Sequence, residues 1–215
     1  MDTKNRYIGV LNHKGGVGKT FLSAHIIWCL KDFYGKRVVG VDTDAQHDLL
    51  KWISGKNYTG TDYKEKNLCV VDGYGKTKIP IPTGYDYVIY DSRPTIETFA
   101  NMLSCFNLVF VPVNGRLSIE SADEINRIVK ELKMFNEIYV VRNMIVADRP
   151  ALQKREDDMV NALTCKVVPS GITFNASVRE AELLSVPVWK MKNRGLQTYK
   201  LLPYIKSICE IIIKQ

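Results

Sequence analysis

An apolar run, YIGVLNH (residues 7–13), leads directly into KGGVGKT (residues 14–20), and a stretch that is apolar almost all round follows, from residue 20 to residue 34. No other part of the chain restricts its fold as strongly. A strand, a glycine-rich turn and a helix in this order form a unit of helix-covered sheets, and the turn is shaped to present backbone N–H groups to an anion. The general phosphate-loop pattern G-x-x-x-x-G-K-[ST] requires one lysine, and it requires a glycine where this chain has His13. The second lysine, Lys14, is left without an explanation in that pattern.

The rest of the chain repeats the theme. Short runs rich in Val, Ile and Tyr recur at residues 37–42, 68–72, 87–91, 108–113, 138–143 and 165–169 without polar alternation, the pattern of strands covered on both faces. Residues 118–135 start at Ser118 and place Ile125, Ile128, Val129 and Leu132 on one helical face. Strands alternating with helices predict an α/β fold, a doubly wound and mostly parallel sheet with helices on both faces. Residues 54–67 read as a mobile surface loop, and 73–86 as a connection or an edge hairpin. A length of 215 residues suits one domain spanning 1–215. Ligands are expected at the carboxyl ends of the central strands.

Several classes of function drop out. The five cysteines (Cys29, Cys69, Cys105, Cys165, Cys209) form no C-x-x-C pair, which argues against a zinc site, a dithiol centre or a disulfide framework. There is no apolar run of transmembrane length, and the opening MDTKNR lacks a signal peptide's apolar stretch, so a cytoplasmic protein is expected. The net charge of +7 permits a polyanionic partner. Much of the excess sits late: residues 187–215 hold Lys190, Lys192, Arg194, Lys200, Lys206 and Lys214 against Glu210 alone.

Within the loop, the backbone N–H groups of Gly15, Gly16, Val17 and Gly18 would cradle phosphate oxygens, Lys19 would reach the β and γ phosphates of ATP, and the Thr20 hydroxyl would ligate Mg²⁺. KGGVGKT resembles the deviant Walker A loop of the ParA/MinD family of ATPases. That resemblance accounts for Lys14. In the family the extra lysine reaches across a nucleotide-sandwich homodimer to phosphate in the opposite subunit, a charge supplied in trans. Two lysines then imply two subunits.

The segment DTDAQHD (residues 42–48) resembles the family's D-x-D-P-Q, with Ala45 in place of proline. The match implies that Asp44 orients or activates the attacking water, and gives Asp42 a place in the support of the loop and the Mg²⁺ shell. At the position of Asp48 some members of the family place a metal-shell acid and others a neutral residue. YDYVIYD (residues 85–91) resembles the Walker B strand, with Asp91 accepting a hydrogen bond from a Mg²⁺-bound water. Arg93 departs from the small residue and prolines that usually follow, and reads either as a surface arginine or as a switching residue. VVRNM (residues 140–144) matches the strand whose asparagine, here Asn143, is either an adenine contact or an ordinary strand-end cap. Further matches at 107–121 and 168–188 extend the resemblance over nearly the whole chain.

Within the family, a MinD-like protein needs a C-terminal helix that lies on a membrane. Leu201, Ile205, Ile208 and Ile212 form such a stripe, widened by Ile211 and Ile213, but so wide a face suits a core better than a membrane surface. A ParA-like protein instead binds DNA without sequence preference through basic residues near its end. WKMKNRGLQTYK (residues 189–200) resembles that segment, making Lys190, Lys192, Arg194 and Lys200 the candidate phosphate contacts, with a solvated basic face as the plainer reading. The resulting expectation is a nucleoid-associated partition ATPase served by a centromere-binding adaptor protein. A MinD-like positioning ATPase or a biosynthetic enzyme on the same fold are the alternatives.

Overall fold

The computed structural model describes residues 5–92, 103–133, 137–145, 149–173, 176–191 and 196–215. The strands are β1 (Arg6–Val10), β2 (Val38–Asp42), β3 (Tyr63–Glu65), β4 (Leu68–Asp72), β5 (Tyr87–Asp91), β6 (Leu108–Val113), β7 (Glu137–Ile145) and β8 (Lys166–Thr173). They form one sheet in the order β3-β4-β2-β5-β1-β6-β7-β8. Among the described residues, only the β3–β4 pair is antiparallel. The strands that read as continuous apolar runs are the interior ones: every residue of β2 and of β6 is buried.

The helices are α1 (Lys19–Tyr34), α2 (Asp48–Ser54), α3 (Arg116–Glu131), α4 (Pro150–Asn161), α5 (Ala176–Leu183) and α6 (Leu196–Lys214). On one face of the sheet, α1, α2 and α6 bury Leu22, Ile26, Leu49 and Ile205 against Ile8, Val10, Val38 and Ile89. The other face holds Leu11, Val109 and Val111 against Ile119, Ile125 and Val129 of α3 and Val160 of α4. The apolar circumference of α1 follows from its place between the sheet and its neighbours α2 and α6. The stripe Leu201, Ile205, Ile208 and Ile212 of α6 is buried in that same cluster. It faces the core, as its width requires, and among the described residues no helix is long and apolar enough to cross a membrane.

Two local expectations need correction. Residues 54–67 contain the end of α2, a 3₁₀ turn at Gly55–Asn57 and the edge strand β3. Of the two readings open for residues 73–86, the structure has the connection: they carry no strand, and Ile79 and Ile81 cover Val39, Val41 and Val71. Helix α4 lacks a readable apolar stripe, burying only Val160. Helix α3 begins at Arg116 rather than Ser118, because the Ser118 hydroxyl closes the preceding turn, accepting from the Asn114 N–H at 2.9 Å and donating to the Gly115 carbonyl at 2.7 Å.

One core group makes the fold acid-sensitive. His25 on α1 is fully buried, with the rings of Phe21, Trp28, Trp52 and Trp189 centred 4.2–5.6 Å away. Its Nδ1–H donates to the Phe21 carbonyl (2.8 Å) and its Nε2 accepts from the Val188 N–H (3.2 Å), so the ring is held neutral. Burial pushes its pKa from 6.5 down to about 4. The unfolded chain takes up the proton first, so this group's contribution is complete above pH 6.5 and is lost as pH falls towards 4, about 3 kcal/mol in all. Denaturation of wild type and His25→Gln at pH 7, 5.5 and 4 checks this: the stability difference between the two proteins should shrink by that amount across the window.

Candidate functional site

The register of the central strands sets up the site. Asp91 at the end of β5 lies opposite Val10 of β1 on one side and Asp42 of β2 on the other, and Asp42 lies opposite Asp72 of β4. Beyond β1 the chain turns leftward in strand order to β2, and after β5 it crosses to β6 on β1's other side, so the loop after β1 sits at the topological switch point.

That loop is held by three asparagines. Asn12 donates to the carbonyls of Pro112 (3.0 Å) and Ser118 (3.2 Å), and accepts from the Lys14 N–H (2.8 Å) and the Ser121 hydroxyl (2.9 Å). Asn114 donates to the Gly16 carbonyl at 3.1 Å, and Asn143 to the Val17 carbonyl at 2.8 Å. In a trans peptide the following N–H points away from its carbonyl, so these two bonds turn the Val17 and Gly18 N–H groups outward. Gly16 and Gly18 adopt left-handed φ of 72° and 83°. A Cβ on Gly18 would collide with the Asn143 carboxamide, so only glycine fits there.

Asn143 is 2% exposed, and its side-chain oxygen accepts from the Met144 N–H at 2.9 Å. Its carboxamide is therefore engaged with backbone, and Met144 lines the adjoining cavity in its place. The roles of Asn12 and Asn114 are not readable in the sequence, since their partners lie about a hundred residues away. The only local signal is an asparagine just past the end of a strand, next to a glycine at Asn114 alone.

Lys19 is buried and its Nζ donates to the Lys14 carbonyl at 2.8 Å, arching back over the loop. Asp91 is 3% exposed and receives the hydroxyls of Ser23 (3.1 Å) and Thr20. Burial, with the charge of Asp42 adding to it, pushes the Asp91 carboxyl up to about 7 against the pull of Thr20, Ser23 and Lys19. Asp42, fully buried, accepts from the N–H groups of Asp44 (3.0 Å) and Leu50 (2.9 Å), which fixes the turn between β2 and α2; burial raises its pKa and these two bonds lower it. Asp44 accepts from the Gln46 N–H at 3.0 Å. Gly15, Gly16, Gly18, Lys19, Thr20, Asp44, Asp48 and Asp91 all line one cavity of about 700 Å³.

Residues 8–188 match the profile of the CobQ/CobB/MinD/ParA nucleotide binding domain. The chain belongs to this family. Among solved structures, a Borrelia burgdorferi B31 protein assigned to plasmid partition and bound to AMPPNP superposes with a TM-score of 0.75 at 19% identity, covering 98% of this chain and 99% of that one. The ATP complex of a Cyanothece McdA variant reaches 0.76 at 13% identity, covering 97% and 96%. Aquifex aeolicus MinD, in its complex with MinC, reaches 0.69 at 20% identity, covering 98% and 96%. No curated protein sequence matches the chain.

Membership of the ParA/MinD family leaves the cations outside the cavity to be placed. Lys14 is exposed and does not line the cavity. Lys190 pairs with Asp32 at 2.9 Å, so a phosphate there would compete with a carboxylate. Lys200 is exposed on α6. Lys192, Arg194 and Arg93 lie outside the described residues.

Proposed function

We propose that the chain is a ParA-type ATPase that cycles between an ATP-bound homodimer on DNA and a released form. The observation that carries this reading is the convergence of outward-turned loop N–H groups, Lys19, Asp44 and Asp91 on one cavity, with the exposed Lys14 outside its lining. Phosphates on the loop would take the Lys19 ammonium in place of the Lys14 carbonyl. Asp44, held by the loop backbone at one oxygen, would orient the attacking water and take its proton.

The donor set fits magnesium. Thr20 and Asp91 offer hard oxygens, and among the described residues no three His, Cys, Asp or Glu side chains gather to cage a metal. Magnesium commonly binds in this way, through one or two protein oxygens completed by phosphate and water. The ion would neutralise charge on the β and γ phosphates; Asp42 would hold the turn that carries Asp44.

Lys14 would act on the partner's phosphates, and Lys200 with Lys192 and Arg194 would contact the DNA backbone, Lys190 being committed to Asp32. Release would be driven by an adaptor of the centromere-binding type that stimulates hydrolysis. Co-sedimentation with unrelated DNA duplexes and with liposomes, with ATP and with ADP, tests the reading. Binding to any duplex is expected in ATP only, falling steeply with salt through counterion release, and Arg194→Ala with Lys200→Ala should weaken it and flatten the salt slope. ATP-dependent liposome binding without DNA binding would replace this reading by a MinD-like one.

A further inference from the structure

The turn that carries Asp44 runs from Asp42 at the end of β2 to Asp48 at the start of α2, and its outer half, Ala45 and Gln46, is exposed. The D-x-D-P-Q segment that it resembles has proline where this chain has Ala45, and a proline locks φ at that place. Alanine leaves it free.

His47 supplies a different restraint. Its backbone is left-handed, with φ of 52° and ψ of 41°, a conformation uncommon outside glycine, and its N–H donates to the Asp44 carbonyl at 3.0 Å. Such residues persist where their surroundings hold them, and they gather at functional sites. Here the ring is flanked at both nitrogens. The Asp72 carboxylate lies 3.4 Å from Nε2, an electrostatic contact without hydrogen-bond alignment, and favours the proton on that nitrogen. Nδ1 is then left to accept from the Tyr58 hydroxyl at 3.1 Å. The Tyr74 ring stands nearly perpendicular to the imidazole, centred 6.2 Å away. Asp72 is the residue opposite Asp42 in the β2–β4 register, so the turn is tied at its two ends to neighbouring strands.

The geometry points to His47 as a positioning residue for Asp44. Its tie to Tyr58 and Asp72 fixes the outer half of the turn, as a proline at position 45 otherwise would, and holds the Asp44 carboxylate at the cavity. This role rests on Asp44 orienting the attacking water. It is separate from nucleotide binding, because none of His47, Tyr58 and Asp72 lines the cavity.

His47→Gly removes the tie and keeps the backbone, since glycine adopts the left-handed φ freely. Calorimetric titration should give ATP affinity within about twofold of wild type, while kcat from steady-state phosphate release falls about 10- to 100-fold, the scale of a reacting group displaced by about 1 Å. Tyr58→Phe leaves residue 47 untouched and should lower kcat about threefold or more, as loss of one hydrogen bond does. The Ala45 N–H donates no hydrogen bond among the described residues, so proline there removes none. Ala45→Pro added to His47→Gly should recover about two- to fivefold in kcat, and less than about twofold in wild type, whose turn is already held. Rates are read well below each variant's melting transition, so a purely structural role for His47 would leave kcat unchanged. Unchanged kcat in either His47→Gly or Tyr58→Phe would overturn the role, as would equal gains from Ala45→Pro in both backgrounds. An ATP affinity that falls as far as kcat would do the same. Asp44→Ala is the reference: if it still hydrolyses ATP, the reading of Asp44 fails and this role with it, whereas an inactive Asp44→Ala beside a fully active His47→Gly overturns this role alone.

Discussion

Lys19→Ala is expected to lower ATP affinity by about 10²–10⁴-fold, the loss of two charge-assisted hydrogen bonds of about 1.5–3 kcal/mol each. The size of the effect comes from preorganisation. The lysine is buried, and it is already folded back over the loop onto the Lys14 carbonyl at 2.8 Å, so little side-chain freedom remains to be lost when phosphate replaces that oxygen. The outward N–H groups of the loop, held by Asn114 and Asn143, remain in the variant but carry no full charge. Calorimetric titration with ATP measures the change, and affinity retained within a few fold would remove the loop from nucleotide binding.

The parts of the molecule legible in the sequence are those whose physics is local or periodic. The buried strands are readable because both faces are covered, and the loop because Gly16 and Gly18 need conformations that other residues avoid. Helix α4 is not legible: only Val160 of its twelve residues is buried, and a polar helix has no stripe to read. Strand β3, three residues long, is defined by its antiparallel pairing with β4 rather than by its own residues. The bracing by Asn12 and Asn114 and the pairing of Lys190 with Asp32 depend on residues far away in the chain. At Asn143 the sequence leaves two readings open, an adenine contact and a cap; the carboxamide donates to the loop carbonyl of Val17 and accepts from the Met144 N–H of its own strand.

Lys14→Gln is expected to keep ATP binding by the monomer within a few fold while abolishing the ATP-dependent dimer or its turnover. The two lysines differ in place, since Lys19 is buried over the loop and Lys14 is exposed and outside the cavity lining, and exposure is what a group serving another subunit requires. Asp44→Ala should fail differently. Asp44 lies in the cavity with one oxygen fixed by the Gln46 N–H, so its removal leaves the loop intact, suppresses hydrolysis by at least about 100-fold and lets ATP-bound dimer accumulate. Mixing the two variants separates trans from cis action. In a sandwich heterodimer, the site built on the Lys14→Gln chain keeps its own Asp44 and receives Lys14 from the Asp44→Ala chain, so one of the two sites is complete. Each heterodimer should therefore work at about half the wild-type rate, and since random pairing in an equal mixture makes about half of the dimers heterodimers, hydrolysis in the mixture should recover towards about a quarter of wild type, with neither variant active alone. Steady-state phosphate release at equal total protein reads the outcome. A mixture no faster than the mean of the separate variants would place Lys14 on its own subunit's nucleotide.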